Sequence, residues 1–177
     1  MRHIISLLME NESGALSRVV GLFSARGYNI DSLSVNVTED PTLSRLTLTT
    51  NEEPDMIEKI LKQLHKLIEV VKVVNLNEAD FAERELMLVK FRTQARDRRT
   101  LLELIEIYRG HVVDVSEKTL TAEITGISKK LDAFIEVAGK THILETVRTG
   151  AVGIGRGERI MRAVSYTHLT LPTTPYV

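Results

Sequence analysis

The chain states its topology twice. Arg26-Gly27-Tyr28-Asn29-Ile30-Asp31 returns 83 positions later as Arg109-Gly110-His111-Val112-Val113-Asp114. Each copy sits where a helical pattern stops and a strand pattern begins, and the same element order surrounds both, which marks an internal duplication. Helical periodicity appears at Leu16, Val19, Val20 and Phe23, then at Ile57, Ile60, Leu61, Leu64, Leu67 and Ile68. It returns at Leu101, Leu104, Ile105 and Tyr108 and at Leu131, Phe134, Ile135 and Ala138. Pro54 suits a first helical turn, Ser128 an N-cap, and Gly27, Gly110 and Gly139 helix exits. Between the helices, apolar and alternating runs predict strands over 3–9, 30–37, 43–49 and 70–76, and again over 86–91, 111–116, 120–124 and 143–147. The order βαββαβ therefore occurs twice. It implies an α+β fold in which each unit lays two helices on one face of an antiparallel sheet. The polar stretch Asn77–Glu83 marks the expected boundary, giving units over 1–78 and 84–162.

Residues 163–177 read differently. They hold no charged side chain, are rich in Thr and carry Pro172 and Pro175, so they are expected to be an appended or disordered tail.

Charge and composition narrow the function. Net charge is −1, so no global field attracts nucleic acid or anionic lipid. Residues 1–80 carry net −4 and residues 81–177 net +3. An RNA-recognition module shares the βαββαβ order but stacks bases on central-strand aromatics, and the first and third strand runs here contain none. The absence of cysteine excludes thiolate catalysis, thiolate metal sites and disulfides, and no apolar run approaches the ~18 residues of a membrane helix. A cytoplasmic protein without membrane or nucleic-acid partners is expected. The five histidines show no metal-ligand spacing, no G-x-S-x-G elbow exists, and no acid–base pair is placed by spacing, so neither a catalytic nor a metal site is expected. Gly153-Ile154-Gly155-Arg156-Gly157 lacks the full phosphate-loop pattern and reads as a flexible exit from the last strand, and Arg96-Asp97-Arg98-Arg99 reads as a solvated helix start.

One loop remains as a candidate site. Glu10-Asn11-Glu12-Ser13-Gly14-Ala15-Leu16 joins the first strand to the first helix, with Ser13 placed as an N-cap. Free N–H groups at a helix start favour a small anionic group, so the backbone of Gly14, Ala15 and Leu16 is suited to an α-carboxylate. A Cβ at position 14 would obstruct that approach. Asn11, with Asn29 from the start of the second strand, offers amide oxygens for an amino group. The loop holds a small molecule and has no nucleophile with which to transform one.

Residues 10–24 and 26–33, with Asp40-Pro41-Thr42-Leu43-Ser44-Arg45, Lys62-Gln63-Leu64-His65-Lys66-Leu67, Glu83-Arg84-Glu85-Leu86 and Gly157-Glu158-Arg159-Ile160-Met161-Arg162, resemble the small, regulatory subunits of acetolactate synthase. The resemblance spans residues 1–162. It implies two tandem ferredoxin-like domains, the first an ACT domain that senses an amino acid. It also implies a homodimer through the ACT domains and association with a large catalytic subunit that uses thiamine diphosphate, Mg²⁺ and FAD. This chain would hold no cofactor; it would activate that partner and confer feedback inhibition by valine in branched-chain amino acid biosynthesis. The effector residues carried over are Asn11, Gly14, Ala15, Leu16, Asn29 and Ile30, in a site shared between two subunits. Asn36 departs from the small apolar residue the family pattern suggests there.

Overall fold

The computed structural model describes residues 1–139 and 142–162. The tail expected at 163–177 lies outside the described residues. In the first half, strand β1 (Arg2–Glu10), helix α1 (Ala15–Ala25), strands β2 (Ser32–Val37) and β3 (Leu43–Asn51), helix α2 (Pro54–His65) and strand β4 (Val70–Asn75) form one unit. A second unit repeats the order with β5 (Phe81–Arg92), α3 (Ala95–Ile107), β6 (His111–Val115), β7 (Thr119–Gly126), α4 (Ser128–Ala138) and β8 (Ile143–Arg148). The sheets run β2-β3-β1-β4 and β6-β7-β5-β8, so the duplicated order yields duplicated topology with all pairings antiparallel.

Alternation assigns the faces. In the first unit Ile5, Leu7 and Met9 of β1, with Leu46 and Leu48 of β3, meet Val19 and Phe23 of α1 and Ile57, Ile60 and Leu64 of α2. In the second, Met87, Val89 and Phe91 of β5, with Leu120, Ala122 and Ile124 of β7, meet Ile105, Leu131 and Phe134 from the helices. Phe134 takes Phe91 and Tyr108 edge-to-face at 6.0 and 5.3 Å, a geometry that ring quadrupoles favour.

Three local expectations change. Ser13 does not cap α1: the cap position is Gly14, at φ +88°, with no side-chain cap bond. Ser128 is the first residue of α4 rather than its cap, which is Ile127, because its hydroxyl is committed elsewhere, donating to Glu85 Oε2 at 2.6 Å. The glycine-rich segment expected as a flexible exit is instead a short strand, β9 (Val152–Gly155), paired with Phe81–Arg84 of β5. A Cβ at Gly153 would lie 2.6 Å from Leu76 Cδ1, so glycine there serves close packing. Strand β5 consequently begins at Phe81, inside the polar stretch read as a boundary.

The paired segments Phe81–Arg84 and β9 make a ribbon that lies against the back of the first sheet. Ile4, Leu76 and Ala151 are buried there, with Val74 and Phe81 packed around them. This explains why β1 is buried on both faces from His3 to Met9 and shows no alternation in sequence. Beside the ribbon, Arg2 pairs with Glu83 at 2.6 Å and donates to Ser128 Oγ at 2.9 Å. Arg148 donates twice to Glu85, at 2.8 and 3.1 Å, and once to Asp132 at 2.6 Å.

Burial alone would raise the Glu85 carboxyl, but the bonds from Arg148 and Ser128 and the charges of Arg148 and Arg2 together hold it below the usual carboxylate range. The same bonds, led by that to Glu85, raise Arg148. A carboxyl that ionises at lower pH when folded contributes stability above its unfolded pKa of about 4.3, and that contribution is lost as pH falls through the folded value. Glu85→Gln should therefore cost about 1–2 kcal/mol at pH 7, with the deficit shrinking below about pH 4. Urea unfolding of both proteins across pH checks this; a pH-independent deficit would show that the carboxylate charge is not what Arg148 reads.

Candidate functional site

The loop after β1 is fastened to the β2–β3 hairpin. Asn11 N donates to Thr42 O at 2.8 Å, and its side-chain Nδ2 donates to Pro41 O at 3.1 Å. That use of Nδ2 fixes the amide and leaves Oδ1 to accept from another donor. Ala15 N makes a long 3.3 Å bond to Glu12 O, so the N–H groups left over at the helix start are those of the neighbouring first-turn residues, Leu16 among them. Ala15 itself is 1% exposed and packs in the core, so only its backbone faces this region, whereas Leu16 is 39% exposed.

Gly14 has the left-handed backbone that a side chain resists, and an added Cβ would meet Arg18 Nη1 at 3.7 Å. Arg18, which sequence reasoning passed over, thus stands beside Gly14 and pairs with Glu69. The i,i+4 spacing from Gly14 was the available signal. Both the helix start and this guanidinium favour an anion next to Gly14.

Asn29 lies at the other end of the sheet. Its Nδ2 donates to Asp31 Oδ1 at 2.8 Å, its carbonyl accepts from Thr50 Oγ1 at 2.7 Å, and Asp31 N bonds Thr49 O. Its Oδ1, like that of Asn11, is left to accept. Ile30 packs half-buried against the first core. Between the two ends run the six residues of β2, about 20 Å at ~3.3 Å per residue. The eleven residues of α1, about 16 Å at 1.5 Å each, give the same separation. One chain therefore brings together Asn11, Gly14, Ala15 and Leu16 and does not bring Asn29 and Ile30 to them.

Strand β2 is also an open edge. Thr38 N bonds Leu43 O, so antiparallel alternation turns the N–H groups of Leu33, Val35 and Val37 away from β3. Val37 N is taken by Asn36 Oδ1 at 2.9 Å, which leaves Leu33 and Val35 as the free stretch.

Where β2 begins, it touches the second unit. A crevice of about 480 Å³ is lined by Asp31 and Ser32 on one side and Glu85, Arg148 and Gly150 on the other. Gly150, at φ +82°, passes so close that an added Cβ would lie 3.2 Å from Ser32 Cβ. Nothing in the sequence pairs residues 32 and 150. Arg98 in the basic run is also committed, donating to Ser116 O, Glu117 O and Thr93 Oγ1 and so bracing the β6–β7 hairpin.

Among the described residues no three His, Cys, Asp or Glu side chains converge as a metal site. No helix among them is long and apolar enough to cross a membrane. The arrangement offers hydrogen-bond acceptors, helix-start donors and an open strand edge: the chemistry of holding a zwitterion.

Comparison with known proteins agrees in both halves. Residues 5–72 match the family model of the AHAS small subunit-like ACT domain, and residues 84–157 match that of the small subunit of acetolactate synthase. The chain is 49% identical over 163 residues to the acetolactate synthase isozyme 3 small subunit of Escherichia coli K12, covering 92% of this chain and all of that one. It is 50% identical to the acetolactate synthase small subunit of Haemophilus influenzae, covering 90% of this chain and 98% of the relative. The crystal structure of the acetolactate synthase small subunit from Thermotoga maritima superposes with a TM-score of 0.82 at 39% identity, covering 90% of this chain and 99% of that one. The repeated ferredoxin-like fold, the ACT match in its first half and these full-length relatives place the chain in the acetolactate synthase small-subunit family.

Proposed function

We propose that this chain is a cytoplasmic regulatory subunit that activates the large catalytic subunit of acetolactate synthase and makes it sensitive to valine. Residues 1–78 serve as the effector-binding ACT domain and residues 84–162 as the second ferredoxin-like domain. The observation that supports the reading is that the Asn11–Leu16 loop and Asn29–Ile30 lie at opposite ends of an open edge strand. If two copies pair their β2 edges antiparallel about a two-fold axis, each strand is reversed against the other. The partner copy's Asn29 and Ile30 then approach this chain's Asn11–Leu16 loop, and two equivalent sites form.

In each site the valine carboxylate meets the helix start at Gly14 and Leu16, with Arg18 nearby. The ammonium is held by the amide oxygens of Asn11 and of Asn29 across the interface, and the isopropyl group rests on Leu16 and Ile30. Thiamine diphosphate, Mg²⁺ and FAD belong to the catalytic partner, and this chain contributes no ligand to them. Control is linkage: valine favours one arrangement of the β2–β2 pair, the catalytic subunit favours the other, and about 1–3 kcal/mol of coupling suffices for a strong response. The contact of Ser32 with Gly150 lets a shift of β2 reach the second unit.

Gly14→Asp sets a carboxylate where the ligand's belongs. Valine affinity should fall at least about tenfold, worth ~1.4 kcal/mol, while stimulation of the catalytic subunit persists. Acetolactate formation titrated with valine checks this; wild-type sensitivity would refute the site. Gly150→Ala should separate the two functions, leaving valine affinity in calorimetry within about twofold of wild type while blunting inhibition. Equal loss of binding and inhibition would remove Gly150 from the coupling.

A further inference from the structure

The back of the first sheet carries arginines with no carboxylate within ion-pair distance among the described residues. Between the β2 edge and β9 runs an open groove of about 390 Å³, lined by Arg45, Thr47 and Arg84, with Glu39 as its one acidic residue among those described. Arg45 is half-buried. Its Nε donates to Ser6 Oγ at 3.0 Å and its Nη2 to Gly153 O at 2.8 Å, both neutral acceptors. Burial pushes its pKa below the usual arginine value, and Glu39 opposes this only through space. Arg84 is exposed and gives one N–H to the carbonyl of Glu83. Arg159, which shares a small cleft with Arg45 on the other side of Ile154, has its Nη1 buried without a hydrogen-bond partner.

None of these three guanidiniums has a carboxylate within ion-pair distance among the described residues. The arginines that brace the inter-unit contact and the first loop do have such partners. Arg2 has Glu83, Arg18 has Glu69, and Arg148 has Glu85 and Asp132. Desolvating a cation without an anion is costly, so a cluster of such cations is complementary to an acidic group from outside. The groove's margin is aliphatic: Val37, Val152 and Ile154 are 49, 45 and 60% exposed. Arginines set among exposed aliphatic side chains on an open groove fit a chain segment better than a lone small anion.

We propose that this groove receives an acidic segment of the catalytic subunit, its carboxylates meeting Arg84 and Arg45 and its apolar side chains covering Val152 and Ile154. The proposal rests on the reading of the chain as a subunit of acetolactate synthase and adds where the partner is held. The binding is largely ionic, so it weakens with salt.

The test uses the full chain and its cognate catalytic subunit. Stimulation of acetolactate formation is titrated with wild type, Arg84→Glu and the control Arg99→Glu, whose exposed side chain pairs with Glu103 one turn along α3. The half-saturating concentration should rise at least about tenfold for Arg84→Glu and stay unchanged for Arg99→Glu. Added salt should weaken wild type much more than Arg84→Glu, and valine affinity of the variant alone should be unaltered. Wild-type half-saturation and salt response in Arg84→Glu would overturn the proposal. So would loss of self-association in sedimentation with partner affinity intact, which would give the groove to a second copy. Failure of wild type itself to bind or stimulate would overturn the subunit reading, and this proposal with it.

Discussion

The length of β2 governs how this molecule can work. Six extended residues hold the loop at Gly14 and the turn at Asn29 at opposite ends of one sheet, about 20 Å apart at strand spacing. No side-chain rearrangement closes that distance within a chain. A ligand small enough for the Gly14 loop can reach an Asn29 only from a second copy, and the same strand that separates the two proposed half-sites is the open edge on which a second copy can pair. On this account sensing and dimer geometry are one property: whatever fills the site reads the relation between two β2 strands.

The duplicated units differ most at their back faces. The first sheet is covered by the ribbon of Phe81–Arg84 and β9, which buries Ile4, Leu76 and Ala151 and ties the units through Arg2, Glu83, Ser128, Glu85 and Arg148. Because Gly150 leaves β8 directly against Ser32, the ribbon begins at one end of β2. Its margin then lies along the groove where Arg45 and Arg84 sit without acidic partners. The proposed effector site, the inter-unit contact and the proposed partner surface thus adjoin a single strand, which on this account is how the chain would act on a catalytic subunit.

Much of this was legible beforehand. Helical spacing at Ile57, Ile60 and Leu64 reports one-sided burial, and alternation at Leu33, Val35 and Val37 locates β2, although Leu33 and Val37 stay exposed on its open edge. The repeat around Gly27 and Gly110 disclosed the duplication because both copies sit at the same helix-to-strand junction. Features set by distant partners were hidden. Gly153 and Gly155 look like a loop until Phe81↔Gly155 pairing is known. Ser128 resembles a cap because its actual acceptor, Glu85, is 43 residues away. The candidate residues Asn11, Gly14, Ala15 and Leu16 stay together because one loop carries them, whereas the distance to Asn29 is set by the lengths of α1 and β2, whose exact ends only the structure gives.

The most direct test of the shared site is valine stoichiometry in mixed dimers. One protomer carries Gly14→Asp and the other Asn29→Lys, with two different tags allowing the mixed species to be isolated and titrated by calorimetry. Each parent homodimer has a defect in both sites. The mixed dimer gathers both defects into one site and leaves the other intact, so it should bind one valine per dimer at near wild-type affinity, half the wild-type stoichiometry. If the mixed dimer binds no better than either parent, the site is not built across two chains, and the central role assigned to the β2 edge is wrong.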